Sequence, residues 1–276
     1  SPFPGASLIP VIRFSMPHHG QTTCLDHIRG AITWENNLLD DFIILKSDHF
    51  PTYHLANVVD DHAMKISHVL RADEWLASTP KHWLLYEALG YEKPVFAHLP
   101  IILGPDKSKL SKRHGAVSVF EYRDQGYLPD ALINFLALQG WSLDGQTEIM
   151  SREQLIKEFT LERVGASPAV FDLEKATWMN AVYIRHLYPE EFATQVLGFW
   201  RQNNTPKDLG QADLTSLAPL IQERVKVLGD VWDQVCFFVE DIKYPPLLLW
   251  AGMGDKSAIE AIREGETKNL PQDAFQ

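Results

Sequence analysis

The chain has 276 residues, of which 45% are hydrophobic and 22% charged, and its formal net charge is −11 at pH 7. That length and apolar content suffice for two or three domains with buried cores, and they exclude a wholly disordered chain. The acidic balance gives no general attraction for nucleic acid, so any such contact needs a local basic strip on an acidic body.

Only two cysteines occur, Cys24 and Cys236, far apart and without CxxC spacing. A disulfide framework or a cysteine zinc site is therefore not expected, and a reducing cytoplasm fits this usage. No apolar run reaches the roughly 20 residues of a membrane span. The chain opens Ser1-Pro2-Phe3-Pro4 without a signal-peptide pattern, and we expect it to begin partway through a longer protein.

Short apolar runs separated by turns predict a small β-rich piece over residues 1–40. Residues 11–14 have the composition of a strand, residues 18–20 that of a turn, and residues 25–34 that of a strand interrupted at Gly30.

Strand and helix patterns then alternate, which is typical of a parallel α/β sheet. Arg71 lies where a predicted strand ends and a helix follows, the position at which open α/β sheets place ligand contacts. Strands are predicted at 42–45, 66–70 and 95–99, and helices at 53–64, from 73 onward and at 81–89.

One face of the predicted helix at 53–64 is polar. Tyr53, Asn57 and Asp61 are four residues apart and share a stripe, with Asp60 beside them. A phenol, an amide and carboxylates on one stripe suit a ligand with an amine and hydroxyls. On spacing alone, a solvated helix face explains the pattern equally well.

A cationic loop at 107–115 follows the apolar run at 100–103, which predicts a buried strand leading into a mobile loop. Its ammonium groups on flexible stems suit a polyphosphate whose charge moves during reaction. A solvated lysine-rich loop is the alternative. Beyond it, all strong signals are helical: 129–139, 151–159, a helix with Asp172 as N-cap, 192–200, 214–228, 232–239 and 258–264.

Several of these segments together resemble a family. Lys109-Leu110-Ser111-Lys112-Arg113 is similar to the KMSKS signature of class I aminoacyl-tRNA synthetases, and residues 53–62 are similar to the amino-acid-site helix of bacterial glutamyl-tRNA synthetases. The stretches at 45–48, 69–75 and 171–175 match as well, so the resemblance is strong over 40–188 and weaker toward the C-terminus.

This resemblance implies a glutamate–tRNA ligase, which joins glutamate to ATP and passes the glutamyl group to tRNA(Glu). ATP enters with Mg²⁺ as a substrate, and no protein-bound zinc or other metal site is expected. Lys109 and Lys112 would meet the charge that builds on pyrophosphate, with Lys112 the first choice. The ATP-binding set is Lys109, Ser111, Lys112 and the backbone of Ile101, Ile102 and Leu103.

The glutamate pocket implied by the resemblance centres on Arg71, which would bind the side-chain carboxylate in a bidentate manner and reject the amide of glutamine. Tyr53 and Asn57 would line the pocket, and Trp75 would form its wall. Asp60 and Asp61 would orient the helix or hold the substrate ammonium. Arg224 occupies the position at which some family members read the third anticodon base, although an exposed arginine explains it equally well.

The implied fold is α/β followed by all-α. Residues 1–40 would end the acceptor-binding insertion, 41–123 would form the second half of the catalytic Rossmann domain, 124–188 the stem-contact domain, and 189–276 the start of a helical anticodon-binding region. We expect a cytoplasmic monomer.

The chain departs from the family in lacking a HIGH-type motif, since Pro17-His18-His19-Gly20 lies only about ninety residues before Lys109 and follows no Rossmann strand. We therefore expect a fragment that shows no ATP–pyrophosphate exchange alone. The alternative is a non-catalytic tRNA-binding module derived from the synthetase. Glutaminyl-tRNA synthetase fits less well, because that enzyme carries β-barrels where this chain is helical.

Overall fold

The computed structural model describes residues 10–111, 113, 118–204 and 208–239. Strands are concentrated in the first half of these residues, and the second half is almost entirely helical. The strands are β1 Ile12–Phe14, β2 Gln21–Asp26, β3 Gly30–Glu35, β4 Phe42–Leu45, β5 His68–Ala72, β6 Val95–Leu99, β7 Ile102–Leu103 and β8 Ala169–Val170. The α-helices are α1 Tyr53–Ala63, α2 Thr79–Leu89, α3 Val119–Gln125, α4 Pro129–Ala137, α5 Arg152–Glu158, α6 Leu173–His186, α7 Pro189–Gln202, α8 Gln211–Ile221 and α9 Val231–Val235.

The main sheet has the order β3-β2-β6-β5. The predicted parallel pairing is confirmed for β5 and β6, and β2 joins β6 in parallel at the register pair Asp26 and Phe96. The predicted strand at 25–34 is a hairpin, in which β2 and β3 pair antiparallel about a turn that ends at Gly30. This hairpin belongs to the same sheet as β5 and β6, so the sheet crosses the boundary expected at residue 40.

The predicted strand at 42–45 forms, but its expected place in the parallel sheet is wrong. β4 pairs antiparallel with β1, with Ile12 opposite Leu45 and Phe14 opposite Phe42. The apolar side chains of both short strands pack onto the core through this pairing, and β4 is thereby held outside the main sheet.

Helices α1 and α2 cover one face of the main sheet. Val58, Leu85, Tyr86 and Phe96 are its buried centre. On the opposite face Leu25 and Leu70 stay more than half exposed. Because side chains alternate along a strand, this arrangement brings Asp26, Arg71 and His98 to the helix-covered face, where their side chains meet.

Between β5 and α2 the predicted helix from residue 73 is a 3₁₀ helix, Asp73–Ser78, and α2 begins at Thr79 with Pro80 in its first turn. Gly90 ends α2 in the left-handed conformation, as predicted. The apolar run at 100–103 yields only the two-residue strand β7. It is half-buried rather than buried, because its partners are the equally short β8 and an isolated bridge to Lys109.

The helical half packs around Phe192, Val196, Trp200 and Leu214. The predicted helices at 151–159 and after Asp172 are confirmed within a residue or two. The predicted helix at 214–228 is too long. Helix α8 ends at Ile221 and is followed by a 3₁₀ turn at Gln222–Arg224 and by extended backbone at Val225. The Gln222 side-chain amide donates to the carbonyls of Ile184 and Leu187, which ties this turn to α6.

The predicted helix at 232–239 is likewise shorter, since α9 gives way to a 3₁₀ helix at Cys236–Phe238. The helix predicted at 258–264 lies outside the described residues.

Candidate functional site

Arg71 is held on β5 by three neutral acceptors. Its Nε donates to His98 Nε2 at 2.9 Å, Nη1 to His82 Nδ1 at 3.0 Å, and Nη2 to Thr79 Oγ1 at 3.0 Å. No carboxylate among the described residues forms an ion pair with it. The carboxylates of Asp26 and Asp61 influence Arg71 without bonding to it. A half-buried guanidinium that is not bonded to a carboxylate keeps N–H groups available to an anion.

The surrounding histidines are kept neutral. Burial, reinforced by Arg71, lowers the pKa of His82 to about 3. Burial, together with Lys81 and Arg71, also lowers the pKa of His54. The pKa of His98 is lowered by burial despite the opposing effect of its hydrogen bond to Asp26. Burial lowers the pKa of Arg71 as well, but a guanidinium keeps its charge in proteins.

The predicted pocket residues on α1 lie near this guanidinium. Tyr53 packs on Trp75 with ring centroids 5.1 Å apart and on His82 at 6.1 Å. Asn57 hydrogen-bonds to Asp61, whose pKa is raised by burial and by Asp60. The four predicted glutamate-binding residues thus occupy neighbouring parts of β5, α1 and the 3₁₀ helix at Asp73–Ser78.

The cationic loop reaches the same 3₁₀ helix. Lys109 forms an ion pair with Glu74, the neighbour of Trp75 in sequence. The loop is a tight hairpin, because Leu110 donates its N–H to Ile102 and Gly104 donates to Ser108. A chain of contacts therefore leads from Lys109 to Arg71. It passes from Glu74 to its sequence neighbour Trp75, and then through Tyr53 and His82.

Two further residues of the loop lie on its surface. Ser111 is exposed, and Arg113 donates to Ser108 and Asp106. The predicted catalytic Lys112 lies outside the described residues.

The backbone of Ile101, Ile102 and Leu103 is already engaged. Each carbonyl accepts an N–H from the chain, from Ala169, Leu110 and Phe171 respectively. A carbonyl oxygen has a second lone pair, so these bonds leave acceptor capacity for a ligand.

Arg224 is exposed on a 3₁₀ helix far along the chain from these groups. It lines a groove of about 770 Å³ with Trp178, Arg185 and Lys226. This groove lies between α6 and residues 223–226, and it combines an indole with three cationic side chains and the carboxylates of Glu174 and Glu223.

Five side chains of this site were not predicted as site residues from the sequence: Asp26, Glu74, Thr79, His82 and His98. Asp26 and His98 lie near the carboxyl ends of their strands, where open α/β sheets place ligand contacts. His98 also interrupts the apolar run Val95–Leu99, which is a signal in the sequence, whereas β2 already contains two threonines and gives no such signal for Asp26.

In the parts of the chain that the structure describes, no group of three His, Cys, Asp or Glu side chains is arranged to hold a metal ion. Nor is any helix there long and apolar enough to cross a membrane.

Comparison with known proteins assigns the fold to a class of enzymes. The family described as "tRNA synthetases class I (E and Q), catalytic domain" matches residues 6–178. The chain belongs to this family of class I synthetases.

Its relatives point to one member of that family. A glutamate–tRNA ligase from Dehalococcoides mccartyi is 54% identical over 244 residues, covering 87% of this chain and 50% of the relative. One from Moorella thermoacetica is 48% identical over 237 residues, covering 84% and 48%. The crystal structure of a glutamate tRNA ligase from Elizabethkingia meningosepticum in complex with its amino acid matches with a TM-score of 0.79 at 35% identity, covering 94% of this chain and 55% of that one. The chain thus spans about half the length of the curated relatives it matches.

Proposed function

We propose that the chain is the part of a glutamate–tRNA ligase that binds the glutamate side chain and carries the KMSKS-like loop. The observation that carries the proposal is Arg71, which is anchored by neutral groups and forms no ion pair with a carboxylate among the described residues. The name of the relatives as glutamate–tRNA ligases supports it.

Arg71 is suited to a side-chain carboxylate. Three of its five N–H groups point to His98, His82 and Thr79, which leaves one N–H on each terminal nitrogen for a ligand. A carboxylate accepts two such bonds, whereas the amide of glutamine offers one acceptor and a misplaced donor. Tyr53, Asn57 and Trp75 would complete the pocket.

The loop would serve ATP, which enters with Mg²⁺ as a substrate. Lys109, Lys112 and Ser111 would bind the phosphates and stabilise charge that develops on pyrophosphate while the glutamate carboxylate attacks the α-phosphate. The ion pair with Glu74 holds Lys109 beside the glutamate pocket. The backbone of 101–103 would receive adenine.

The helical half would bind tRNA(Glu). Arg224 lies in a groove with Trp178, Arg185 and Lys226, and guanidinium and indole groups are suited to base edges and base faces. With the domain division expected from the sequence, this proposal implies an insertion end, a half catalytic domain, a stem-contact domain and the start of an anticodon-binding region. It implies a cytoplasmic, monomeric enzyme.

Substitution of Arg71 in the full-length protein tests the proposal. Arg71→Lys keeps the charge but loses the fork, so we expect the KM for glutamate to rise about 10- to 100-fold in tRNA-dependent ATP–pyrophosphate exchange, with a smaller change in the KM for ATP. Arg152→Lys, at a surface ion pair with Asp130, is the matched control. An unchanged KM for glutamate in Arg71→Lys and Arg71→Ala would contradict the proposal.

A further inference from the structure

Five side chains form one continuous hydrogen-bonded relay beneath the candidate pocket. His98 Nδ1 bonds to Asp26 on β2 at 2.6 Å, and His98 Nε2 accepts from Arg71 at 2.9 Å. On the other side Arg71 donates to His82 at 3.0 Å, and His82 Nε2 meets His54 Nδ1 at 2.8 Å. The relay therefore runs across three strands and two helices, with Arg71 in its middle.

The chemistry of Asp26 and Arg71 fixes the direction of every bond. Arg71 has only donors, and the Asp26 carboxylate has only acceptors. His98 must therefore carry its proton on Nδ1 and present a bare Nε2 to Arg71. His82 must present a bare Nδ1, so its proton is on Nε2 and points to His54.

Asp26 is itself firmly held. Its Oδ1 accepts the backbone N–H groups of Ile28 and Arg29 at 3.0 and 2.8 Å, and its Oδ2 accepts that of His98 at 3.1 Å. The carboxylate is almost fully buried. It cannot rotate without leaving these donors unpaired, so it defines the orientation of the His98 ring.

We propose that Asp26, His98 and His82 are positioning residues that hold Arg71 in one orientation by fixing the tautomers of the two rings. This inference rests on the proposed role of Arg71 in binding the side-chain carboxylate. Because both rings bonded to Arg71 are neutral and Asp26 bonds to His98 but not to Arg71, the relay orients the guanidinium through neutral groups rather than through an ion pair. The result is a site that favours a carboxylate over an isosteric amide.

The tautomers supply a readout that a merely structural network would not affect. In Asp26→Asn the new amide can donate to His98 Nδ1, which moves the proton to Nε2 and sets two donors against each other at Arg71. Long-range ¹H–¹⁵N spectra of protein labelled on histidine distinguish the two tautomers. We expect His98 to be the Nδ1–H form in the native protein and to change in Asp26→Asn. Asp41→Asn, where the carboxylate caps Met16 at 2.7 Å outside the relay, should leave it unchanged.

Kinetics on the full-length protein give the second readout. We expect Asp26→Asn to raise the KM for glutamate about 10- to 100-fold with less effect on kcat, and to reduce the preference for glutamate over glutamine. The native tautomer in Asp26→Asn, or an unchanged KM beside a changed tautomer, would overturn the inference.

A pair of variants at His82 keeps the test open if Asp26→Asn does not fold. In His82→Asn the side-chain oxygen can replace Nδ1 as the acceptor for Arg71, whereas His82→Leu supplies no acceptor. We expect a near-native KM for glutamate in the first and a raised KM in the second. Equal values would overturn the inference.

The outcome also separates this inference from the proposed function. If Arg71→Lys raises the KM for glutamate while the relay variants leave it unchanged, the proposed function stands and the relay does not. If Arg71→Lys leaves the KM for glutamate unchanged, the proposed function is contradicted, and the inference about the relay is contradicted with it.

Discussion

His82 is completely buried beside Arg71, and its protonation state follows from that position. A proton on this ring would place two cations within hydrogen-bond distance of each other in a region of low dielectric. The folded protein therefore holds His82 neutral at pH values where an exposed histidine is already protonated.

Acidification should destabilise the fold through this residue. Its pKa is about 3 when folded and near 6.5 when unfolded, so the unfolded chain binds a proton that the folded chain refuses. The contribution of neutral His82 to the free energy of unfolding is complete above about pH 6.5. It falls as the pH decreases toward 3, at most by about 1.4 kcal/mol per pH unit.

Urea unfolding at pH 7.5 and pH 5 measures this effect. The midpoint of the native protein should fall more between the two pH values than the midpoint of His82→Asn. His62→Asn, which replaces an exposed ring stacked on Tyr91, should keep the native difference. Parallel pH dependence in the native protein and His82→Asn would contradict the expectation.

Site residues that a local sequence pattern marks could be predicted from the sequence, whereas residues that only strand pairing brings together could not. Tyr53, Asn57 and Arg71 follow from a helix period and a strand end, and their places on α1 and β5 are as predicted. Asp26 and His98 are 72 residues apart. Only the register of the sheet brings them together, and no local pattern encodes it.

At the scale of elements, Asp172 shows how one side chain sets the start of a helix. Its Oδ1 accepts the N–H of Lys175 at 3.1 Å and so satisfies one of the unpaired donors in the first turn of α6. The sequence predicts this residue as the N-cap because a carboxylate directly before an apolar-periodic run is a local signal. By contrast, the 3₁₀ turn that follows α8 is tied to α6 by contacts of Gln222, which no local signal reveals.

Removal of this cap should cost about 1 kcal/mol of stability in Asp172→Ala. Asp172→Asn keeps an oxygen acceptor and should lose much less. Chemical denaturation of the three proteins at one pH compares them directly, and equal stability of the Ala and Asn variants would show that the cap contributes nothing.

At the scale of the whole molecule, Gly126 joins α3, the helix that follows the cationic loop, to the C-terminal helical region. This residue ends α3 with φ +93°, and its carbonyl accepts the N–H of Leu228 at 2.9 Å. A Cβ at this position would lie 2.7 Å from that same nitrogen. The contact joins residues about a hundred positions apart, and the sequence predicted neither α3, which Gly126 ends, nor this junction.

Gly126→Ala should therefore destabilise the protein by roughly 1–3 kcal/mol, since both the left-handed backbone and the missing space oppose a side chain. Gly90→Ala is the matched control, because Gly90 ends α2 with φ +69° but a Cβ there would meet open space, with nothing within 4 Å. Thermal unfolding of both variants separates backbone strain from steric overlap. Equal losses of stability would mean that the junction adapts without cost.

The single register pair between β2 and β6 has a consequence for the alignment of these two strands. Asp26 stands opposite Phe96 there, and a slip of one residue would turn it to the open face and bring an adjacent side chain inward. His98 would then lack its acceptor inside the protein, at the cost of a buried unpaired polar group. The hydrogen bonds of the carboxylate thus favour the native alignment of the two strands over a shifted one, in which Arg71 would lose its fixed orientation.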